Sequence, residues 1–296
     1  MKTAFLILAH DQPFHLSKLV NYLSCDWTRI FIHIDRMVNI AEFRKCIPEQ
    51  GEISFLNGND RISVNWGGFS QIRASLNLLD ASLNSGEHFD RFCLLTGSDF
   101  PIKALEKIKV SFDSDKEFMR IDRRLDGTEN GTYHKMVMYL HYLDSPFPKL
   151  TGRFLKIPRK VYGRIGLYMG SAYWSLTKGC ISYITEFLQR DKGYTTFHEH
   201  TKSPDEIFFH SIVKSSPFAA KITHDFERAN DLNEYYSLNE HGCHYIDWNT
   251  KGINRPRILD ESDLNNLLDS EALFARKFRE GESDHLLQMI EETIGK

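Results

Sequence analysis

The sequence predicts an α/β protein, with a central, mostly parallel sheet flanked by helices. Two observations carry this. Short apolar runs without polar alternation recur in "TAFLILAH", "RIFIHID" and "RFCLLTG", and strands buried on both faces read that way. Amphipathic stretches at helical spacing separate them, as the crossover helices of a parallel sheet require.

The first run, Ala4 to Ala9, is a strand and not a leader peptide. His10 and Asp11 end it at once, and no small-residue cleavage pattern follows. "PFHLSKLVNYL" sets Phe14, Leu16, Leu19, Val20 and Leu23 near helical spacing. "RIFIHID" is a second strand, ending at Asp35, and "EISFL" is a short third. "NWGGFS" (Asn65 to Ser70) places paired glycines before a helix. It is either a close approach of backbone to ligand or a turn closed by a Ser70 cap. "SQIRASLNLLDASLNS" is a helix with Ile72, Leu76, Leu79 and Leu83 on one face, stopped by Gly86. "RFCLLTG" and "EFMRID" add two strands. Further on, "ISYITEFLQR" and "DEIFFHSIVKS" read as helices, and "ESDLNNLLDSEALFARKF" as two short helical pieces. No linker or repeat divides the chain, so residues 1–296 read as one domain. Ligands in open α/β sheets sit at the carboxyl ends of strands. That nominates His10 with Asp11, Asp35 with Arg36, and Ser98 with Asp99.

Composition narrows the function classes. A net charge of −3 argues against a general nucleic-acid binder. Five cysteines with no CxxC point to reduced thiols in a cytosol-like compartment. No stretch approaches the roughly 20 apolar residues of a membrane span.

Several constellations have both a chemical and a structural reading. In "SPDEIFFHS", Ser203 suits a cap and Pro204 a first helical position, while Asp205 and Glu206 complement the helix dipole. His198, His200, Glu206 and His210 could instead assemble a zinc site for a hydrolase. Asp113 and Asp115 form a D-x-D, which reads as a turn. The segment 149–164 holds Lys149, Arg153, Lys156, Arg159, Lys160 and Arg164 without an acid, either a solvated loop or a patch for an anionic acceptor or membrane face. Arg255 and Arg257, then Arg276 and Lys277, could converge on a diphosphate or be ordinary helix-end charge.

Eight stretches in order resemble the core-2/I-branching glycosyltransferase family, which holds β-1,6-N-acetylglucosaminyltransferases and peptide O-xylosyltransferases. They are "FLILAHDQP", "IFIHIDR", "VNWGGFSQIRASLNLLDASL", "DRFCLLTGSDFPIK", "GSAYWSLTKGCISYI", "SPDEIFFHSIV", "YIDW" and "LFARKF". The resemblance, closest to compact bacterial members, implies a GT-A type fold and inverting transfer from a UDP-sugar without a divalent metal or other cofactor. By motif position it makes Glu206 the catalytic base, and Arg257 and Lys277 the cations on the diphosphate. Asp35 falls near the uracil, beside His10 and Arg36 as further nucleotide contacts. Tyr173 and Trp174 fall on the sugar pocket wall, with Ser98, Asp99 and Asp205 as further contacts. Asp205 doubles as the structural cap, Trp66 suits sugar stacking, and Trp248 reads as core.

The expected organisation is a nucleotide-binding half over about 1–125 and an acceptor and diphosphate half over about 126–296. The expected partners are a UDP-sugar donor and a glycan or lipid-linked glycan acceptor. The expected location is cytoplasmic, with contact to an anionic inner membrane face through 149–164. UDP-xylose or UDP-glucuronate are the alternative donors to UDP-N-acetylglucosamine.

Overall fold

A computed structural model describes residues 1–49, 51–125, 131, 133–145, 157–227, 239–248 and 255–295. Its larger sheet runs in the order β3-β2-β1-β4-β8-β6-β7, with β9 also paired to β6. These strands are β1 (Thr3–Ala9), β2 (Thr28–Ile34), β3 (Ile53–Phe55), β4 (Arg91–Thr96), β6 (Glu117–Arg124), β7 (Tyr168–Gly170), β8 (Ser175–Thr177) and β9 (Ile222–Asp225). β1 lies parallel to both β2 and β4, and β2 parallel to β3, whereas β8 runs antiparallel to β4 and β6.

The period-2 geometry of β1 divides the core. Phe5, Ile7 and Ala9 enter one apolar cluster, with Leu16, Leu19, Val20 and Leu23 of the helix Pro13–Leu23. Leu286, Leu287 and Ile290 of the helix Asp284–Ile294 join them. Ala4 and Leu6 face the opposite cluster, under Ile72, Leu78 and Leu79 of the helix Ser70–Leu83. Burying each such Leu, Ile or Phe contributes roughly 1.5–3 kcal/mol, so β1 has one register in which both clusters form. The C-terminal residues thus close the core that the first strands begin.

A smaller sheet runs β10-β11-β12-β5. Its strands are β5 (Phe100–Pro101), β10 (Glu240–His241), β11 (His244–Ile246) and β12 (Phe274–Arg276). β5 follows β4 after Gly97, Ser98 and Asp99, so the small sheet hangs from the carboxyl end of β4. Gly97 permits this. Its N–H donates to Leu8 O at 2.8 Å, and an added Cβ would sit 2.8 Å from that of Ala9.

Four local expectations need correction. "LFARKF" is extended, because Phe274 and Ala275 pair with Pro101 and Phe100, and Phe274, Ala275 and Arg276 with β11. Ser203 makes no side-chain cap; it sits at φ 46 before a short 3-10 turn, Pro204–Glu206, and the helix starts at Phe208. Ser70 is not the cap of its helix either. Its Oγ accepts from Asn65 N–H at 2.8 Å, while Asp144 accepts Ser70 N–H at 2.8 Å from far along the chain. Trp248 is 46% exposed rather than core.

Candidate active site

The ends of β1 and β2 meet where Asp35 N–H donates to Ala9 O at 2.9 Å. This brings His10, Asp11, Asp35 and Arg36 together. Asp35 is buried, and its carboxylate accepts Met37 N–H at 2.8 Å and Val64 N–H at 2.9 Å. It therefore shapes the turn. His10, Asp11 and Arg36 remain exposed on it, with His10 Nε2 3.6 Å from Asp11.

At the end of β4, Asp99 is fully buried. Thr96 N–H donates to its Oδ2 and Thr96 Oγ1–H to its Oδ1, both at 2.7 Å. Two cations face it: His244 Nε2 at 3.3 Å from Oδ2, and Arg276 Nε at 3.7 Å from Oδ1. Burial opposes its charge, yet Arg276 and His244 hold its carboxyl below the usual range. Burial likewise opposes the His244 imidazolium, but Cys243 and Asp99 lift it to about 9. Tyr173 lies between the cations, 4.6 Å from the Arg276 guanidinium and 4.7 Å from the His244 ring. Arg276 is buried, and among the described residues its Nε and Nη1 have no hydrogen-bond partner. Ser98 is buried beside this group, and its carbonyl accepts Phe278 N–H at 2.9 Å.

Lys277 follows Arg276 directly and is half-buried. Burial lowers its proton affinity, and Arg276, Arg279 and Arg255 lower it further, while Asp11 raises it. Arg257 is its backbone neighbour: Lys277 N–H donates to Arg257 O at 3.4 Å, and Leu259 N–H to Lys277 O at 3.0 Å. The side chain of Arg257 is occupied, however. It contacts Asp247 at 3.0 Å, Asp260 at 3.3 Å, and Asp263. Arg257 is therefore a neutralised guanidinium, and the cation directly beside Lys277 is Arg276, which faces Asp99 at 3.7 Å without a hydrogen bond. The signal was available, since Arg257 has acids three and six residues downstream.

Glu206 and Asp205 sit half-buried on the Pro204–Glu206 turn. Burial first, then Asp205 and Asp122, lift the Glu206 carboxyl to about 8. Burial also lifts Asp205. Both carboxyls are therefore harder to ionise than free ones. Asp205 is not a cap: its Oδ1 has no partner among the described residues, and its Oδ2 lies 3.5 Å from Gln71 Nε2. Asp122 contacts Arg120 Nε at 2.9 Å. Arg120 Nη1 donates to Glu240 O at 2.8 Å and lies 3.5 Å from His241 Nε2. His241 pairs with His244 across β10 and β11.

The "NWGGFS" segment is a turn. Gly67 sits at φ 73, and a Cβ on Gly68 would lie 2.4 Å from Asp144 Oδ1. Ser203 N–H donates to Gly67 O at 2.8 Å, tying the turn to the Glu206 segment. Trp66 projects from it, 82% exposed.

Trp174 as pocket wall and the zinc alternative are corrected. Trp174 is fully buried against Phe209, so it presents no face to a sugar. The zinc group does not converge. His198 lies in a box of Tyr194, Phe197 and Phe208, His200 stacks on Tyr142, and His210 Nε2 lies 2.6 Å from Ser171 O. Among the described residues no three His, Cys, Asp or Glu gather around a metal position. Asp113 and Asp115 are exposed, with Asp115 paired to Lys221 at 3.2 Å. In the basic segment, 149–156 lie outside the described residues. Arg159 turns inward to Val137 O at 2.8 Å, Phe197 O at 2.6 Å and Thr201 Oγ1 at 2.7 Å, and Arg164 pairs with Asp191 at 3.2 Å. Among the described residues no helix is long and apolar enough to cross a membrane.

Comparison with known proteins gives a coherent result. The chain is 23% identical to xylosyltransferase oxt of Drosophila melanogaster over 99% of its own length and 33% of that protein's. It is 23% identical to xylosyltransferase 2 of Mus musculus over 98% and 33%. The chain thus spans about a third of the relatives it matches. Among solved structures, the Q189E mutant of LgtC matches with a TM-score of 0.41 and 10% identity, covering 99% of this chain and 94% of that one. The sequence profile described as "Branch: Core-2/I-Branching enzyme" matches residues 3–268. On that match the chain belongs to the Core-2/I-branching enzyme family.

Proposed function

We propose that this chain is a GT-A type glycosyltransferase. It moves a sugar, N-acetylglucosamine foremost, from a UDP-sugar to a hydroxyl of a glycan acceptor, with inversion and without a divalent metal, in bacterial surface polysaccharide synthesis. The observation that carries the reading is the cation pair at the strand ends. A buried guanidinium, Arg276, whose Nε and Nη1 have no hydrogen-bond partner among the described residues, stands beside Lys277, whose proton affinity burial and then neighbouring cations depress. Asp99 faces Arg276 at 3.7 Å without accepting a hydrogen bond, so the two adjacent cations favour a further anion.

In the reaction, the acceptor oxygen bonds to the anomeric carbon as the bond from that carbon to the β-phosphate oxygen breaks. The acceptor proton passes to Glu206, and the electron pair of the broken bond leaves on UDP. Glu206 must arrive ionised, and its raised proton affinity suits a base working near neutral pH. Lys277 and Arg276 stabilise the charge that grows on the departing diphosphate. Arg257 shapes the strand that carries them. His10, Asp35 and Arg36 frame the nucleotide site, and Tyr173 the sugar pocket.

The test is UDP release with a panel of glycan acceptors in excess EDTA, comparing UDP-N-acetylglucosamine, UDP-xylose and UDP-glucuronate. Turnover in EDTA supports the reading, and activity lost in EDTA and restored by manganese contradicts the metal-free mechanism. UDP-xylose is the specific second donor, because the relatives above are xylosyltransferases.

A further inference from the structure

We infer that Asp99 is a positioning residue for the donor site: it aims Arg276 and, through Arg276 and His244, fixes Tyr173. The inference rests on the proposed UDP-sugar reading.

The geometry is a closed ring. Each Asp99 oxygen is fixed by Thr96 on one side and faces one cation on the other, Oδ2 towards His244 and Oδ1 towards Arg276. Tyr173 closes the ring by stacking against both cations. Phe274 lies against the far side of His244, with ring centroids 5.5 Å apart. No member can shift alone, because close-packed side chains have discrete arrangements.

The Asp99 to Arg276 distance matters most. At 3.7 Å the carboxylate attracts the guanidinium but does not take a hydrogen bond from it. Nε and Nη1 stay unpartnered among the described residues. A carboxylate placed to neutralise Arg276 would accept two N–H bonds in the bidentate geometry such pairs favour. This one directs the side chain without neutralising it through hydrogen bonds.

Two accounts of Asp99 predict opposite signs. If it only lowers the local positive potential, Asp99→Asn removes a repulsive charge and tightens anion binding. If it positions Arg276, Asp99→Asn loosens the guanidinium and weakens binding. Titration calorimetry of the full chain with UDP decides. We expect Arg276→Ala to weaken UDP about 50-fold and Asp99→Asn about tenfold, with the double variant no weaker than Arg276→Ala. Thr96→Val, which removes the 2.7 Å bond to Asp99 Oδ1 and a 3.4 Å contact with Ser98 Oγ, should weaken UDP about threefold even if Asp99→Asn does not fold. Tighter or unchanged binding in Asp99→Asn or Thr96→Val, or additive losses in the double variant, overturns the inference. Failure of the unaltered chain to bind UDP overturns the UDP-sugar reading itself, and this inference with it.

Discussion

Glu206→Gln keeps the shape of the side chain and removes its titration. An ordinary glutamate titrates near 4.5, and this one is lifted to about 8. The difference, 8 − 4.5, at about 1.4 kcal/mol per tenfold sets a ceiling of ~5 kcal/mol on the cost of ionising Glu206 in the folded chain. Partial exposure and the electrostatic coupling to Asp205 reduce this to roughly 2 kcal/mol. The sign follows from the raised value. The folded chain holds this proton more tightly than the unfolded one, so the stabilisation is complete below pH 4.5 and is lost as pH rises through about 8. The variant escapes that loss. Its melting temperature should match the unaltered chain at pH 4.5 and exceed it by about 4 °C at pH 9, since 1 kcal/mol shifts a chain of this size by roughly 2 °C. Thermal unfolding followed by circular dichroism reads both. Equal melting temperatures at pH 9 would refute the raised titration. UDP release by the unaltered chain should also climb with pH towards 8, whereas the variant binds UDP and releases none from the donor. Full turnover in the variant would remove Glu206 from the role of base.

Lys277→Ala should weaken UDP binding more than tenfold without loss of fold. Arg257→Ala should instead lower stability, more at pH 7 than at pH 4, because it leaves Asp247, Asp260 and Asp263 uncompensated while they are ionised; urea unfolding at the two pH values separates these. Asp144→Ala removes the acceptor of Ser70 N–H, Ser70 Oγ–H and Asn65 Nδ2–H, and should cost about 2 kcal/mol by urea midpoint at constant slope. Burial lowers the titration of His15, His33, His198, His210 and His241. The unfolded chain then takes up protons below pH 6.5 that the folded chain refuses, so stability should fall by several kcal/mol from pH 6.5 to 5, partly offset by Asp205 and Glu206. His198→Phe should recover part of that loss, because both ring nitrogens of His198 are buried without partners among the described residues; an unchanged acid midpoint would contradict this.

Elements with a local signal were legible in the order of residues alone. β1, β2 and β4 show as uninterrupted apolar runs, and the helices Pro13–Leu23 and Ser70–Leu83 as 3.6-residue stripes, because burying one face fixes which residues must be apolar. Motif order also placed Glu206 and Lys277 as candidates. The company each side chain keeps emerged from long-range packing. "LFARKF" has no strand signal of its own and becomes β12 because Phe100 and β11 lie alongside it. Trp174 and Tyr173 are adjacent in sequence, yet one is sealed under Phe209 and the other stacks on Arg276. Asp99, His244 and Arg276 come from three separate segments. A buried charge persists only beside its counter-charge, and no local pattern announces a partner that folding brings in from far along the chain.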